Sequence, residues 1–582
     1  MRTTTALFIV LSLVLIPAAC GTPTGAGNGD AGGGLGQFSR SIGMLAIGAN
    51  GAVASVDGFA TAAGLQVLMD GGNAIDAAVA VGFALAVTHP AAGNIGGGGF
   101  MTVYLAEEDR YTTFDFRERA PLAATADMYL GEDGRPVRGL NYRGWLAPGV
   151  PGTVAGFELA HQTYGRLPWE RLVEPAVRLA EDGILLTPYL AGSLASAAES
   201  FEPFPASKRA FLKSDGTPRA SGDLLKQPDL AWSLRQIMGE GAAAFYMGAI
   251  AERLTAAMAQ NGGLISMEDL AAYEAKEREP IRGSYRDYEI ISMPPPSSGG
   301  TILVEMLNIL ETFDMSQYEA SDPAAIHLLV EAMRQGYLDR ATYLGDADFV
   351  DVPIDRLTSK EYARQVAASI EPTRARRSAA LGAEILEAAE SSETTHYSVV
   401  DAWGNVVSTT YTIEAGYGSR AMAEGTGFLL NNEMSDFNAW PGVTDERGYI
   451  GTEPNLIAPG KRMLSSMTPT IVAKNGRPVL VVGSPGGKTI INTVLRVIVN
   501  VVDFGMPLPE AVREPRVHHQ WMPDNVRLEA SSAADTVAAL RGLGHDASGR
   551  GLQGDAHCIF IYPDGARLAV ADPRRSGAAG AY

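Results

Sequence analysis

Residues 396–400 and 406–412 alternate between apolar and polar positions in the two-residue rhythm of half-buried strands. The five residues between them, Asp401-Ala402-Trp403-Gly404-Asn405, carry turn chemistry. The pattern predicts a β-hairpin. With the turn symmetric about Trp403, facing residues have numbers that sum to 806, which sets Thr394 opposite Thr412 at roughly 5 Å between Cβ atoms. A threonine pair at a strand end is by itself ordinary β-propensity.

Upstream, residues 44–56 read as one strand, followed by a helical pattern over 58–69 that stops at Gly71-Gly72. Asn73 is placed to cap a second helix over 74–87, an Ala-rich stretch almost without charge that must be buried on most sides, with Asp76 in its first turn. The glycine run 96–99 follows a helix and precedes a strand. That is the reverse of the dinucleotide-binding order, so it reads as a place where two backbones approach closely. Residues 111–116 alternate as a strand that ends at Arg117. From 148 to about 389 the pattern is mainly helical, with a strand-like interval over 281–293. Residues 378–392 turn Ala, Glu and Ser rich, as an exposed linker would. Beyond the hairpin, residues 428–432 lead into Glu433 and Asp436, and 438–461, rich in Gly and Pro, read as a lid. Strands near Ile471 and over 478–482 come next, then Gly483-Ser484-Pro485-Gly486-Gly487 and a helix over 489–502. The run 483–489 resembles a phosphate loop, but it is one residue short and Val482 stands where the leading glycine belongs.

Composition changes this picture in three ways. A chain of 582 residues with 46% apolar and 19% charged positions is an ordered fold larger than one ordinary core. A net charge of −20, from 46 basic and 66 acidic residues, argues against nucleic acid as a partner. Residues 1–20 have an early Arg2, an apolar run over 6–16 and Pro17-Ala18-Ala19-Cys20, which read as an export signal followed by a Gly-rich tether over 21–43. The expected location is periplasmic or extracellular. Cys20 as a lipid-anchored residue and plain secretion both stay open. Only Cys558 remains once Cys20 is removed or lipidated, so no internal disulfide is expected. The histidines show no ligand spacing: His518 and His519 are adjacent, and no metal is expected.

A threonine hydroxyl needs an adjacent base, and cleavage before Thr394 would supply one as the new α-amine, with a pKa of about 7.7–8.0. The β-branched side chain limits rotation about χ1 and fixes hydroxyl to amine. The strand, glycine loop and helix around Gly486 and Gly487 present backbone N–H groups at a helix start, where oxyanion donors are worth about 2.7–4 kcal/mol each.

The run TTHYSVVDAWGNVVSTTYTIEAGYG, from Thr394 to Gly418, resembles the signature of the γ-glutamyltranspeptidases. The resemblance extends to FDFRE at 114–118, PPPSSGG at 294–300, RATYLGD at 340–346 and GSPGGKT at 483–489. It implies an α+β fold, a four-layer αββα sandwich of the N-terminal nucleophile hydrolase type, built as one interwoven domain from two subunits. It also implies self-cleavage between Glu393 and Thr394 into a large subunit, 44–393, and a small one, 394–582, that stay together as a heterodimer. In catalysis Thr394 is the nucleophile, Thr412 orients it, and Gly486 and Gly487 form the oxyanion hole. Arg117, Ser465 and Ser466 take the substrate α-carboxylate, while Glu414, Glu433 and Asp436 take its ammonium group. His396 is read as structural, and the segments at 294–300 and 340–346 receive no catalytic role. The implied activity is γ-glutamyl transfer from glutathione or related donors to water, amino acids or peptides, without a cofactor. The alternatives are a cephalosporin or glutaryl acylase of the same family, and a non-catalytic tethered binding protein. In the lid, Arg447 stands where the family resemblance leads one to expect a tyrosine, and Tyr449 follows two residues on.

Overall fold

The helix Ala74–Thr88 shows why the site sits where it does. Asn73 accepts from the amides of Ile75 and Asp76, and Asp76 returns a bond to the Asn73 amide, so the first turn is closed from both sides. All its residues are buried, against the helices Gly58–Met69 and Trp169–Asp182 on one side and the hairpin strands on the other. Asp401, in the hairpin turn, accepts from the Ala74 amide at 2.9 Å and from Trp403 and Asn405 at 2.9 Å each. One carboxylate thus shapes the turn and docks it on the helix start.

The computed structural model describes residues 42–381, 393–444 and 450–582. The export signal, most of the tether, Cys20, Arg447, Tyr449 and linker residues 382–392 lie outside the described residues. The architecture is mixed α/β with two large antiparallel sheets. One runs, edge to edge, Ile42–Gly43, Ala578–Ala581, Ala52–Ser55, Thr395–Val400, Val406–Thr412, Gly98–Leu105, Arg110–Phe116 and Lys276–Arg278. The other runs Leu45–Gly48, Arg567–Val570, Cys558–Ile561, Arg477–Val482, Thr470–Lys474, Tyr288–Ser292 and Ile281–Tyr285. Small and β-branched side chains of both sheets share one cluster, Ala52, Ala54, Val400 and Val406 from the first with Ile471, Ala473, Val481 and Ala569 from the second. Short side chains let two sheets face each other closely. The helices Gly299–Glu311 and Thr489–Val502 share a separate core with the second sheet.

The hairpin has the expected register: Thr395 pairs with Tyr411, His396 with Thr410 and Val400 with Val406. The helices Gly58–Met69 and Thr489–Val502 have the expected bounds. Two expectations need correction. Residues 44–56 are not one strand. Leu45–Gly48 belongs to one sheet and Ala52–Ser55 to the other, and the turn at Ala49-Asn50-Gly51 carries the chain across. Period-two alternation says nothing about which sheet a strand joins, so the break was invisible. The linker does not start as an exposed segment at Ser378. This residue opens the short helix Ser378–Leu381 and is fully buried, with its hydroxyl taking a bond from Arg334 and its amide donating to Asp524 at 2.9 Å.

Candidate active site

The open end of the hairpin brings two hydroxyls onto one carbonyl. Thr394 Oγ1 donates to the Glu393 carbonyl at 2.7 Å and lies 3.3 Å from Thr412 Oγ1, which itself lies 3.4 Å from the same carbonyl. The Glu414 amide donates to Thr412 Oγ1 at 2.8 Å and fixes that hydroxyl from behind. Thr412 pairs with Gly98 on the neighbouring strand, and a Cβ on Gly97 would collide with the Thr412 carbonyl. The glycine run is therefore a close backbone approach directly beneath the threonine pair.

Facing them is the loop that ends the strand Arg477–Val482. Gly486 and Gly487 have φ of +131° and +55°, which L side chains rarely adopt, and their carbonyls accept from Thr489 and Ile490 as the helix Thr489–Val502 begins. The Gly487 backbone lines the same pocket as Thr394, at a helix start whose dipole favours negative charge. Gly486 sits one residue back in the same turn.

Arg117 lies at the bottom, almost fully buried. Its Nη1 is 2.5 Å from Glu433 Oε2 and 3.4 Å from Glu118 Oε2, its Nη2 pairs with Asp436, and its Nε donates to the Met463 carbonyl at 3.2 Å. Burial pulls the guanidinium pKa down, but the three carboxylates outweigh that and hold it above its ordinary value. Burial pushes Glu433 well above the carboxylate range, beyond what Arg117 offsets, and pushes Glu118 up to about 8. Three acids share one cation here. Glu414, in a left-handed conformation at φ +70°, takes a bond from Asn432, which also accepts from the Ala415 amide at 3.0 Å.

The pocket thus gathers Arg117, Thr394, Thr412, Glu414, Glu433 and Asp436, with Ser465, Ser466, Gly487 and Glu393 completing the wall. Met467 and Ile490 are further wall residues that were not foreseen. The space left is about 30 Å³, enough for a water or two. Glu393 is part of what fills it.

Two segments without an expected role hold the serine loop. Ser298 donates to the Ser465 carbonyl from its amide at 2.8 Å and from its hydroxyl at 2.6 Å. Arg340 then donates from Nε to Ser298 Oγ and from Nη2 to Ser466 Oγ, at 3.0 Å each. Sequence reasoning had quoted both segments and left them idle, because nothing local ties Arg340 to a residue 126 positions away. Arg575 was also missed: its Nη1 lies 2.9 Å from Glu393 Oε2, so the side chain before Thr394 is held by an ion pair.

His396 bonds Thr410 through Nδ1 at 2.9 Å and Ser398 through Nε2 at 3.1 Å, and burial pushes its pKa well below the ordinary value, so the ring is neutral and structural. The expectation of no ligand spacing among the histidines needs correction. His327 and Glu331, one helical turn apart on the helix Pro323–Tyr343, meet His545 in a trio close enough to hold a metal. Glu331 is, however, already paired with Arg334 at 3.3 Å and Arg376 at 2.6 Å, and His327 Nδ1 bonds His545 Nε2 at 2.7 Å. Two guanidinium groups occupy the charge a cation would need.

A family model described as gamma-glutamyltranspeptidase matches residues 60–582. The chain is 47% identical over 524 residues to the glutathione hydrolase proenzyme of Escherichia coli strain K12, covering 90% of each chain. A crystal structure of cephalosporin acylase from Bacillus halodurans superposes with a TM-score of 0.81 at 27% identity, covering 92% of this chain and 97% of that one. A crystal structure of Helicobacter pylori gamma-glutamyltranspeptidase matches at 49% identity with a TM-score of 0.54, covering 55% of this chain and 91% of that one. A match across nearly the whole chain, meeting the hairpin signature and the pocket it builds, places this chain in the gamma-glutamyltranspeptidase family.

Proposed function

We propose that the chain is a γ-glutamyltransferase and glutathione hydrolase, made as a precursor that cleaves itself between Glu393 and Thr394. The observation that carries this reading is the convergence of the Thr394 and Thr412 hydroxyls on the Glu393 carbonyl, inside a pocket that also holds a buried arginine. In the first reaction Thr394 Oγ1 attacks the Glu393 carbonyl carbon and the C–N bond to Thr394 breaks. The nitrogen takes the hydroxyl proton, and water hydrolyses the resulting ester. Glu393 then ends a large subunit and a free amine begins a small one. Departure of Glu393 enlarges a pocket that has room for little more than a water.

In turnover the Thr394 amine takes the proton from its own hydroxyl as Oγ1 attacks the γ-carbonyl of glutathione or a related compound. The proton passes to the leaving amine, and the acyl group goes from Thr394 to water or to an amino acid or peptide. The Gly486 and Gly487 amides stabilise the oxyanion. Arg117 with Ser465 and Ser466 receives the α-carboxylate, a planar task suited to a guanidinium. Glu414, Glu433 and Asp436 receive the ammonium group. Every step uses side chains and backbone of this chain. The reading includes a four-layer αββα sandwich shared by the fragments 44–393 and 394–582, and export by residues 1–20, with lipid anchoring at Cys20 and plain secretion both open.

Thr394→Ala should remain one uncleaved chain without activity, and two normal fragments on a gel from that variant would refute the assignment. The structural likeness to a cephalosporin acylase keeps one rival in view. Turnover of a γ-glutamyl anilide against a glutaryl amide separates the two, and preference for the glutaryl compound would favour the rival.

A further inference from the structure

The helix that starts at the glycine loop carries a buried arginine with no mechanistic task. Arg496 lies seven residues into the helix Thr489–Val502, about 10 Å along its axis from the start. It is 1% exposed. Its Nη2 donates to the Ala320 carbonyl at 2.7 Å and stands 3.5 Å from Glu514 Oε1, but among the described residues Nε and Nη1 have no hydrogen-bond partner. Arg117, Arg334 and Arg516 are buried to a similar degree, and each has a carboxylate in hydrogen-bond contact. Arg496 has only a long contact to a side chain that is 21% exposed. Burial, opposed only by Glu514, pushes its pKa down to about 10. A buried guanidinium in that position is under-satisfied.

Arg496 lines a cavity of about 290 Å³. Ser321, Ser532 and Thr536 line the same space, and Ile326, Val517 and Leu528 form an apolar wall. At its edge begins the helix Ala534–Gly542. Its cap, Ala533, has no side-chain oxygen and makes no side-chain cap bond. A helix start and a guanidinium with unused N–H groups beside one cavity suit negative charge, and because those N–H groups have almost no accessible surface, an anion reaches them only once the Glu514 side chain has moved aside.

We infer that this cavity is a binding site, separate from the threonine pocket, for a small organic anion whose carboxylate or phosphate meets Arg496 and whose apolar part lies against Ile326, Val517 and Leu528. Glu514 is the partner the ligand displaces: its carboxylate stays at long range, and it is exposed enough to swing outward. The inference stands on its own geometry and does not depend on the activity proposed above.

The test is calorimetry on the wild-type enzyme, titrated with inorganic phosphate and separately with butyrate. Saturable binding of either supports the site, and the tighter of the two names the headgroup. Arg496→Met should weaken binding at least about tenfold, whereas Glu514→Gln, which removes the competing charge, should tighten it several-fold. Because Arg496→Met also removes a buried bond to the Ala320 carbonyl and so tests folding as well as binding, Ser532→Trp at the partly exposed rim is the second variant. It should abolish anion binding and leave KM for a γ-glutamyl anilide unchanged. The inference is overturned if neither anion binds the wild type. It is equally overturned if Glu514→Gln and Ser532→Trp both bind as the wild type does, or if binding disappears with Arg117→Met instead.

Discussion

Replacing Arg575 with alanine should slow self-cleavage without altering the two threonines. The Glu393 side chain is a handle on the residue whose carbonyl must stay against Thr394 Oγ1, and Arg575 Nη1 holds it at 2.9 Å. The pair is sheltered, with side-chain exposures of 12% and 27%, so solvent screens it only in part. A charge-assisted hydrogen bond in such surroundings is worth about 1.5–3 kcal/mol. If that energy serves to hold the carbonyl in the geometry of attack, its loss slows cleavage by about 10- to 150-fold. The stem of Glu393 also packs against Gly416, so the residue is not released altogether. The assay is the decay of the full-length band with time after purification of the precursor. Arg575→Lys should fall between wild type and alanine, because an ammonium can reach the carboxylate but lacks the planar fork. The double variant Arg575→Ala with Glu393→Gln should cleave no more slowly than Arg575→Ala alone, since both remove one contact. Cleavage of Arg575→Ala at the wild-type rate would refute the argument.

Arg340→Met removes the bond to Ser466 and the bond to Ser298, which holds Ser465, while keeping the bulk of the side chain, so KM for a γ-glutamyl donor should rise roughly five- to 100-fold while self-cleavage continues. An unchanged KM would show that the loop holds its own shape. Glu118 is pushed up to about 8, first by burial, so the folded state favours its protonated form. The stability from this group is full below its unfolded value near pH 4.5 and is lost as pH rises through about 8. Glu118→Gln lacks that titration. Its Tm relative to wild type should therefore improve from pH 5 to pH 8, and a constant difference would count against a buried, protonated Glu118.

What could be read from the chain was what local periodicity encodes. The alternation on either side of Trp403 gave the register that joins Thr394 to Thr412, and Asn73 marked a helix start that the structure shows, where Asp76 also closes a capping box. Most residues of the pocket were named only through the resemblance to the γ-glutamyltranspeptidases, because no local pattern gathers Glu414, Glu433 and Asp436 around one site. Long-range pairings were not legible. Arg340 and Ser466, and likewise Glu393 and Arg575, are adjacent only because separate elements end at the same place. The split of residues 44–56 escaped for a related reason: strands of both sheets show the same mixture of small and β-branched side chains, so no residue type marks the crossing. Ser378 looked like linker because its neighbours in sequence are Ala and Glu. It is anchored by Arg334, Asp524 and Trp521, and none of these is near it in the chain.

The strand order of the larger sheet bears on how the protein is made. Ala578–Ala581 lies between Ile42–Gly43 and Ala52–Ser55, and the last residue, Tyr582, bonds back to Asn50 at 2.8 Å. A cut before Thr394 would leave the two fragments alternating within a single hydrogen-bonded ladder, so neither could leave without tearing the sheet. Their one-to-one ratio is then set by translation of a single message and not by affinity, and dilution should not separate them. Fragments synthesised apart would each have to fold around a gap in that sheet.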